Sequence, residues 1–296
     1  MPFAHLSVTL LLVIIWGLNF VIIQVALQEI PPIMLTFLRF FFAAFPAVFF
    51  IKPPKTSWKM LLYYSLTLIV LDFCFLFTGM YIGVSAGMAS LTLQTQVFFT
   101  AILAMVFLKE RMSKAQILGS SIAFLGIVYV GFHTGGDVNL TGLILVELAA
   151  LSWAIGNLVS KKIGRVDMLS LVTWGSLLSL PFLLALSFTL ESHLWSVQSL
   201  LNISGKSIGA IAYLVYPVTL FGFAIWSWLL SRHPATTVAP FTLLIPIVGF
   251  SSSALLLGES LPLWKIIAAI LVISGLIINL YGGFLFQKII LTCKKS

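Results

Sequence analysis

Three ionisable side chains stand inside long apolar runs of the chain: Arg39 in MLTFLRF, Asp72 in LIVLDFCF and Glu147 in LILVELAA. Holding a charge at that depth is expensive unless it is paired or hydrated, so each is a functional candidate. The forked guanidinium of Arg39 suits an electrostatic clamp on a substrate carboxylate. Its other reading is a buried ion pair with Asp72 or Glu147 that only holds helices together. Asp72 and Glu147 suit proton coupling, since a carboxyl that takes up a proton sheds its charge from the membrane interior while a carrier reorients. For Asp72 the competing role is a salt bridge to Arg39, which leaves Glu147 as the better proton carrier.

Uncharged groups join them. Trp16 and Asn19 lie about 60° apart around one helix, and Trp153 and Asn157 about 40° apart around another, so each pair shares a face. All four sit near mid-span, away from the interfacial belts where Trp is enriched. They read as cavity lining, with the amides bonding a substrate's amino and carboxyl groups; interhelical packing through an amide hydrogen bond is the alternative. Gln94 and Gln96 fall on roughly opposite faces of one helix, and Gln94 is the one assigned to the cavity. Glu110 and Glu259 sit at turns between spans, where a carboxylate caps orphan amides. The four histidines lie at loops or span ends and are expected to be solvated. Gly205-Lys206-Ser207 lacks the leading glycine of a phosphate loop, since position 200 is Leu. No metal-ligand spacing and no nucleophile–base set appears, so neither a metal, a cofactor nor an enzymatic activity is expected.

The elements that must position these groups are helices in lipid. Of the 296 residues 60% are hydrophobic and 8% charged, against roughly 25% charged in soluble domains. A mean hydropathy of +1.15 over the whole chain excludes a soluble domain with a single anchor. Punctuation by Pro, Gly and charge gives ten apolar stretches long enough to cross about 30 Å of hydrocarbon. They run near 5–28, 31–51, 60–82, 85–108, 114–132, 141–161, 168–190, 207–231, 235–257 and 263–286. Backbone satisfaction in lipid makes them helices. Thirteen of the 16 Lys and Arg then fall on one side: Lys52, Lys55, Lys59, Lys109, Arg111, Lys114, Lys161, Lys162, Arg165, Arg232, Lys288, Lys294 and Lys295. Lys206 and Lys265 lie on the other. This asymmetry puts both termini in the cytoplasm and turns the net charge of +8 into a statement of topology, with no nucleic-acid partner. The first residues lack a basic signal-peptide region and are expected to stay on the mature protein. Cys74 and Cys293 are placed too far apart to pair.

The chain also contains itself twice. An offset of 149 sets Leu108-Lys109-Glu110 on Leu257-Gly258-Glu259, Gly126 on Gly275 and Ala86 on Ala235. A shift of 137 to 138 sets Trp16 and Asn19 on Trp153 and Asn157. Five spans per unit is an odd number, so the second unit is upside down relative to the first. Such inverted repeats belong to secondary transporters, with the substrate near the midplane between them. We expect a first repeat over 1–133, an external linker at 134–140, a second, inverted repeat over 141–287 and a cytoplasmic basic tail at 288–296. Arg39, Asp72 and Glu147 lack counterparts across the repeat: duplication built the frame and divergence supplied the site.

WGLNF in the first span, Arg39 in MLTFLRF, ASLTLQTQ and the following KER resemble EamA-type members of the drug/metabolite transporter superfamily. So do WAIGN and LLLGES in the second half, and the resemblance covers nearly the whole chain. It implies a ten-helix, multi-pass carrier of the bacterial inner membrane that exports small amino-acid-like metabolites such as cysteine or O-acetylserine. Another metabolite or a drug is the alternative cargo; a membrane enzyme or a passive channel fits the residues less well. The expected partners are a small-molecule substrate, protons and lipid, with the unit a monomer or a homodimer.

Overall fold

The computed structural model describes residues 1–109, 112–133, 139–164, 166–194, 196, 198, 202–233 and 235–293, with the backbone alone at 108, 235, 236, 239, 240 and 280–293. Among the described residues all regular structure is helical. Eight helical rods are long and apolar enough to cross a membrane: α1 (Phe3–Ala26), α2 (Pro32–Phe49), α3 (Trp58–Tyr81), α4 (Ala86–Phe107), α5 (Lys114–Gly131), α6 (Leu140–Ile163), α7 (Met168–Leu190) and α8 (Gly205–Arg232). Two further apolar helices follow, α9 (Phe241–Leu257) and α10. The latter runs Leu263–Cys293, so its backbone stays helical past 288, where the sequence suggests a separate tail.

Several rods change pitch at the depth that matters. In α2 the α-helix ends at Ala44 ahead of Pro46, and a short 3-10 turn follows at Ala47–Phe49. α3 widens into a π-helix at Leu66–Leu71, immediately before Asp72. α8 does the same at Leu214–Phe221 around Pro217, whose missing N–H interrupts the ladder. There the Thr219 hydroxyl donates to the Leu214 carbonyl at 2.8 Å. α4 tightens instead, to a 3-10 turn at Leu93–Thr95.

Carboxylates at one end of the bundle tie helix starts to distant loops. Glu191, just beyond α7, accepts from the Ile33 and Met34 amides at 2.7 and 2.9 Å, and from Ser187 Oγ at 3.0 Å. It thereby satisfies orphan donors of α2, whose first residue is Pro32 and whose N-cap is Pro31. Burial pushes its carboxyl above the usual range, and the two amides and Ser187 pull against that. Glu29 accepts from the Ser204 amide and the Ser207 hydroxyl at the start of α8. Glu259 accepts from the Ala86 and Gly87 amides at 2.8 and 3.3 Å, so the helix it caps is α4 and not its own successor α10. Glu110 lies outside the described residues. Replacing Glu191 by Ala removes both caps from α2 and leaves two amides without partners, a loss of about 2 kcal/mol. The melting temperature of the detergent-solubilised protein should fall by several degrees; an unchanged melting curve would show that water replaces the carboxylate without cost.

At the opposite end, His5 Nδ1 and His233 Nε2 lie 2.7 Å apart, joining the start of α1 to the end of α8 against Trp228. Two of the four histidines are therefore bonded to each other, a long-range contact that spacing along the chain does not reveal.

Candidate substrate site

The site begins with α1, where Trp16 and Asn19 share a face next to Gly17. A Cβ on Gly17 would meet Val248 Cβ at 2.5 Å, so only glycine lets α9 come this close. A Cβ on Gly249 would likewise lie 2.5 Å from Ser90 Oγ. Helices α1, α4 and α9 thus pack closely from mid-span toward the end where Glu259 caps α4. Away from that seal the rods diverge around a cavity of about 360 Å³, within the range of small-molecule sites. It reaches from Ser90, near the start of α4, to Met168, which begins α7 after the Lys161–Asp167 stretch.

All six residues assigned to substrate from the sequence border this one cavity: Trp16, Asn19, Arg39, Gln94, Trp153 and Asn157. Asp72 borders it as well. Gln96 does too, because the 3-10 turn at Leu93–Thr95 changes the angle between the two glutamines from the value an unbroken α-helix imposes. Glu147 stands behind this wall. One of its oxygens, Oε2, is 2.9 Å from Thr95 Oγ1, and the other is buried with no partner.

Around Trp16 the wall is aromatic. Its indole N–H donates to the Val218 carbonyl at 3.1 Å, and its rings lie 5.5 Å from Trp226 and 6.1 Å from Phe223. Across the cavity, Asn157 Nδ2 donates to Thr100 Oγ1 at 3.1 Å, while Asn19 Oδ1 is buried with no partner.

No ion pair joins Arg39 to Asp72, but each lies close enough to feel the other's charge. Arg39 is 2% exposed and Asp72 0%. The Arg39 Nε–H donates to Thr219 Oγ1 at 3.1 Å, and its guanidinium carbon lies 4.4 Å from the centre of the Phe73 ring. Since the Thr219 proton is spent on Leu214, its oxygen is free to accept. One guanidinium nitrogen, Nη1, has no partner, and neither oxygen of Asp72 has one. A closed ion pair would have satisfied these atoms. Buried polar groups are nearly always hydrogen-bonded, so these three unsatisfied charged atoms are exceptions, and both residues that carry them border the cavity. Thr219 is the member that sequence reasoning misses; its one visible signal is a hydroxyl two residues after an intramembrane proline.

The Thr95 hydroxyl has one proton but two acceptors in range, the Thr92 carbonyl at 2.8 Å and Glu147 Oε2 at 2.9 Å. Both contacts are satisfied together when Glu147 carries a proton and donates it to Thr95.

The EamA-like transporter family matches the chain twice, over residues 4–132 and 140–281. The chain belongs to that family. As a member of the EamA-like transporters it is a membrane protein with a transport role, and both matched stretches contribute residues to the lining of the cavity. Trp16, Arg39, Asp72 and Gln94 come from the first; Trp153, Asn157, Val218 and Trp226 come from the second. A Salmonella typhimurium protein named "Probable amino-acid metabolite efflux pump" is 42% identical over 280 residues, spanning 92% of this chain and 93% of its own length. An Escherichia coli protein of the same name is 41% identical over the same shares of the two chains. An uncharacterised transporter of Archaeoglobus fulgidus is 28% identical over 90% of this chain and 95% of its own. A solved crystal structure, 15% identical, superposes with a TM-score of 0.64 over 92% of this chain and 95% of that one, a likeness of fold.

Proposed function

We propose that this EamA-family chain is a secondary carrier that exports small amino-acid metabolites, cysteine or O-acetylserine among them, from the bacterial cytoplasm across the inner membrane. Its working units are the two inverted five-helix repeats, 1–133 and 141–287, joined by an external linker at 134–140, with both termini and the basic tail 288–296 cytoplasmic. The observation that carries this reading is the unpartnered guanidinium nitrogen of Arg39 beside a cavity walled by both repeats. A buried cation held open in this way is suited to a carboxylate, and the aromatic and amide walls to the rest of a small polar solute. With the basic loops cytoplasmic, the cavity extends toward the cytoplasm while Gly17, Ser90, Gly249 and Glu259 seal the far end, the state in which an exporter loads. Glu147 is the proton carrier of this scheme, supported by its bond to Thr95 and by its place behind the glutamines.

Purified protein in liposomes loaded with unlabelled cysteine should accumulate labelled cysteine by counterflow, well above empty liposomes. Rates equal to empty liposomes for cysteine, O-acetylserine and a wide panel of amino acids would sink the carrier reading. Accumulation of dyes or antibiotics alone would favour a drug exporter of the same fold.

A further inference from the structure

The cavity offers two buried charges of opposite sign, each with atoms left unbonded. From the Arg39 Nη1 atom and the two Asp72 oxygens, all unpartnered beside one cavity, we infer that the site recognises the ammonium and the carboxylate of a zwitterion together, Asp72 holding the first and Arg39 the second. This rests on the transport reading above and narrows its substrate class to solutes with a free amino and a free carboxyl group.

Charge bookkeeping favours this over a site for anions or for amines. A zwitterion held between a cationic Arg39 and an anionic Asp72 leaves the loaded site neutral, its ammonium supplying the counter-charge that Asp72 lacks within bonding distance. A carboxylate without an ammonium would leave a net negative charge in a low-dielectric interior, and an amine without a carboxylate a net positive one. Each also leaves one of the two protein charges unsatisfied, which is the costly half of losing a buried hydrogen bond.

The side chains are held so that they do not collapse onto each other. Thr219 takes the Arg39 Nε–H at 3.1 Å and Phe73 lies under the guanidinium at 4.4 Å, which together fix its plane. Asp72 projects from the first turn after the π segment Leu66–Leu71. Thr219 belongs to the π segment of α8. Two irregular turns, one in each half of the chain, thus set the positions of the two charges. Thr219 is a positioning residue here and makes no contact with substrate.

Three probes that differ only in charge test the inference: L-cysteine, N-acetyl-L-cysteine, which lacks the ammonium, and cysteamine, which lacks the carboxylate. Binding to the wild-type protein in detergent is read from quenching of tryptophan fluorescence, Trp16 and Trp226 both bordering the cavity, and competition is read in counterflow. L-cysteine should bind and compete roughly ten-fold or more strongly than either analogue, since each analogue forfeits a charge-assisted bond. Equal competition by N-acetyl-L-cysteine or cysteamine overturns the zwitterion clamp while leaving transport standing. Charge-selective binding without counterflow would instead remove the transport reading and keep the clamp. No binding of L-cysteine or O-acetyl-L-serine would remove the clamp outright. In a second arm, Asp72→Asn should weaken L-cysteine roughly ten-fold and strengthen N-acetyl-L-cysteine, whose carboxylate then meets Arg39 without a second negative charge beside it, with Asp72→Glu restoring part of the loss. Equal weakening of both ligands would show that Asp72 serves packing alone.

Discussion

Arg39→Ala is expected to lower counterflow of carboxylate-bearing substrates by roughly a hundred-fold or more, with folded yield close to wild type. The magnitude follows from the bond removed. A forked, charge-assisted pair in a water-poor cavity is about twice as strong as a neutral hydrogen bond, and truncating one member of a buried charged pair commonly costs about 2–5 kcal/mol. Folding should survive because Arg39 makes no closed ion pair: its hydrogen-bond partner is the Thr219 hydroxyl, which keeps its own bond to Leu214 when the arginine is gone. Arg39→Lys keeps the charge but loses the planar fork and its fit to Thr219, so it should recover part of the activity and not all of it. Counterflow rates measured beside a size-exclusion profile separate the outcomes. An Arg39→Ala protein that does not fold, yet regains stability when Asp72→Ala is added, would make the two residues a structural pair.

The second large effect is on assembly. Gly119 on α5 and Gly275 on α10 face each other at backbone distance: a Cβ on Gly119 would stand 2.5 Å from the Gly275 carbonyl oxygen and 2.6 Å from the Asn279 amide nitrogen. A Cβ on Gly275 would stand 2.5 Å from the Gly119 oxygen. What blocks these positions is main chain, which has no rotamer to give, so the helices themselves must part. In lipid, where no hydrophobic force draws helices together, such close packing is the main source of attraction. Asn279 adds weak bonds to Gln116 and Ser120 across the same seam. Gly119→Leu or Gly275→Leu should therefore cost about 3 kcal/mol or more, seen as a large drop in melting temperature and in monodisperse yield. Gly131→Leu near the end of α5 is the control, because nothing lies within 4 Å of its Cβ. Neither glycine of the seam borders the cavity, so activity per folded molecule should hold in whatever fraction survives. A selective loss of transport at full stability would mean the seam moves during the cycle.

The parts of this site that are legible in the sequence are those whose cost or repetition is local. Arg39 and Asp72 announce themselves because a charge at that depth needs a reason, and Trp16, Asn19, Trp153 and Asn157 because the chain states the pattern twice. Gln96 escapes because strict 3.6-residue spacing puts it opposite Gln94, and a 3-10 turn of three residues cannot be seen in an apolar run. Thr219 escapes because a threonine in a span is ordinary until its partner, 180 residues away, is known. Glu191 looks like a loop acid and is instead the cap of a helix 158 residues earlier. For Gln96 the missing information is a local change of pitch; for Thr219 and Glu191 it is tertiary.

The widened turns of α3 and α8 have a consequence for how the molecule could change shape. A π turn stores one residue more than an α turn of the same rise, a local surplus of chain inside an otherwise regular rod. Passing that surplus one turn along the axis rotates the intervening segment by about 100°, with no change in loop length at either face. For α3 the segment so turned carries Asp72 and Phe73; for α8 it carries Val218 and Thr219. Each rod is thus a screw with its own slack, able to swap the side chains it shows to the cavity without drawing on the connections that hold its ends.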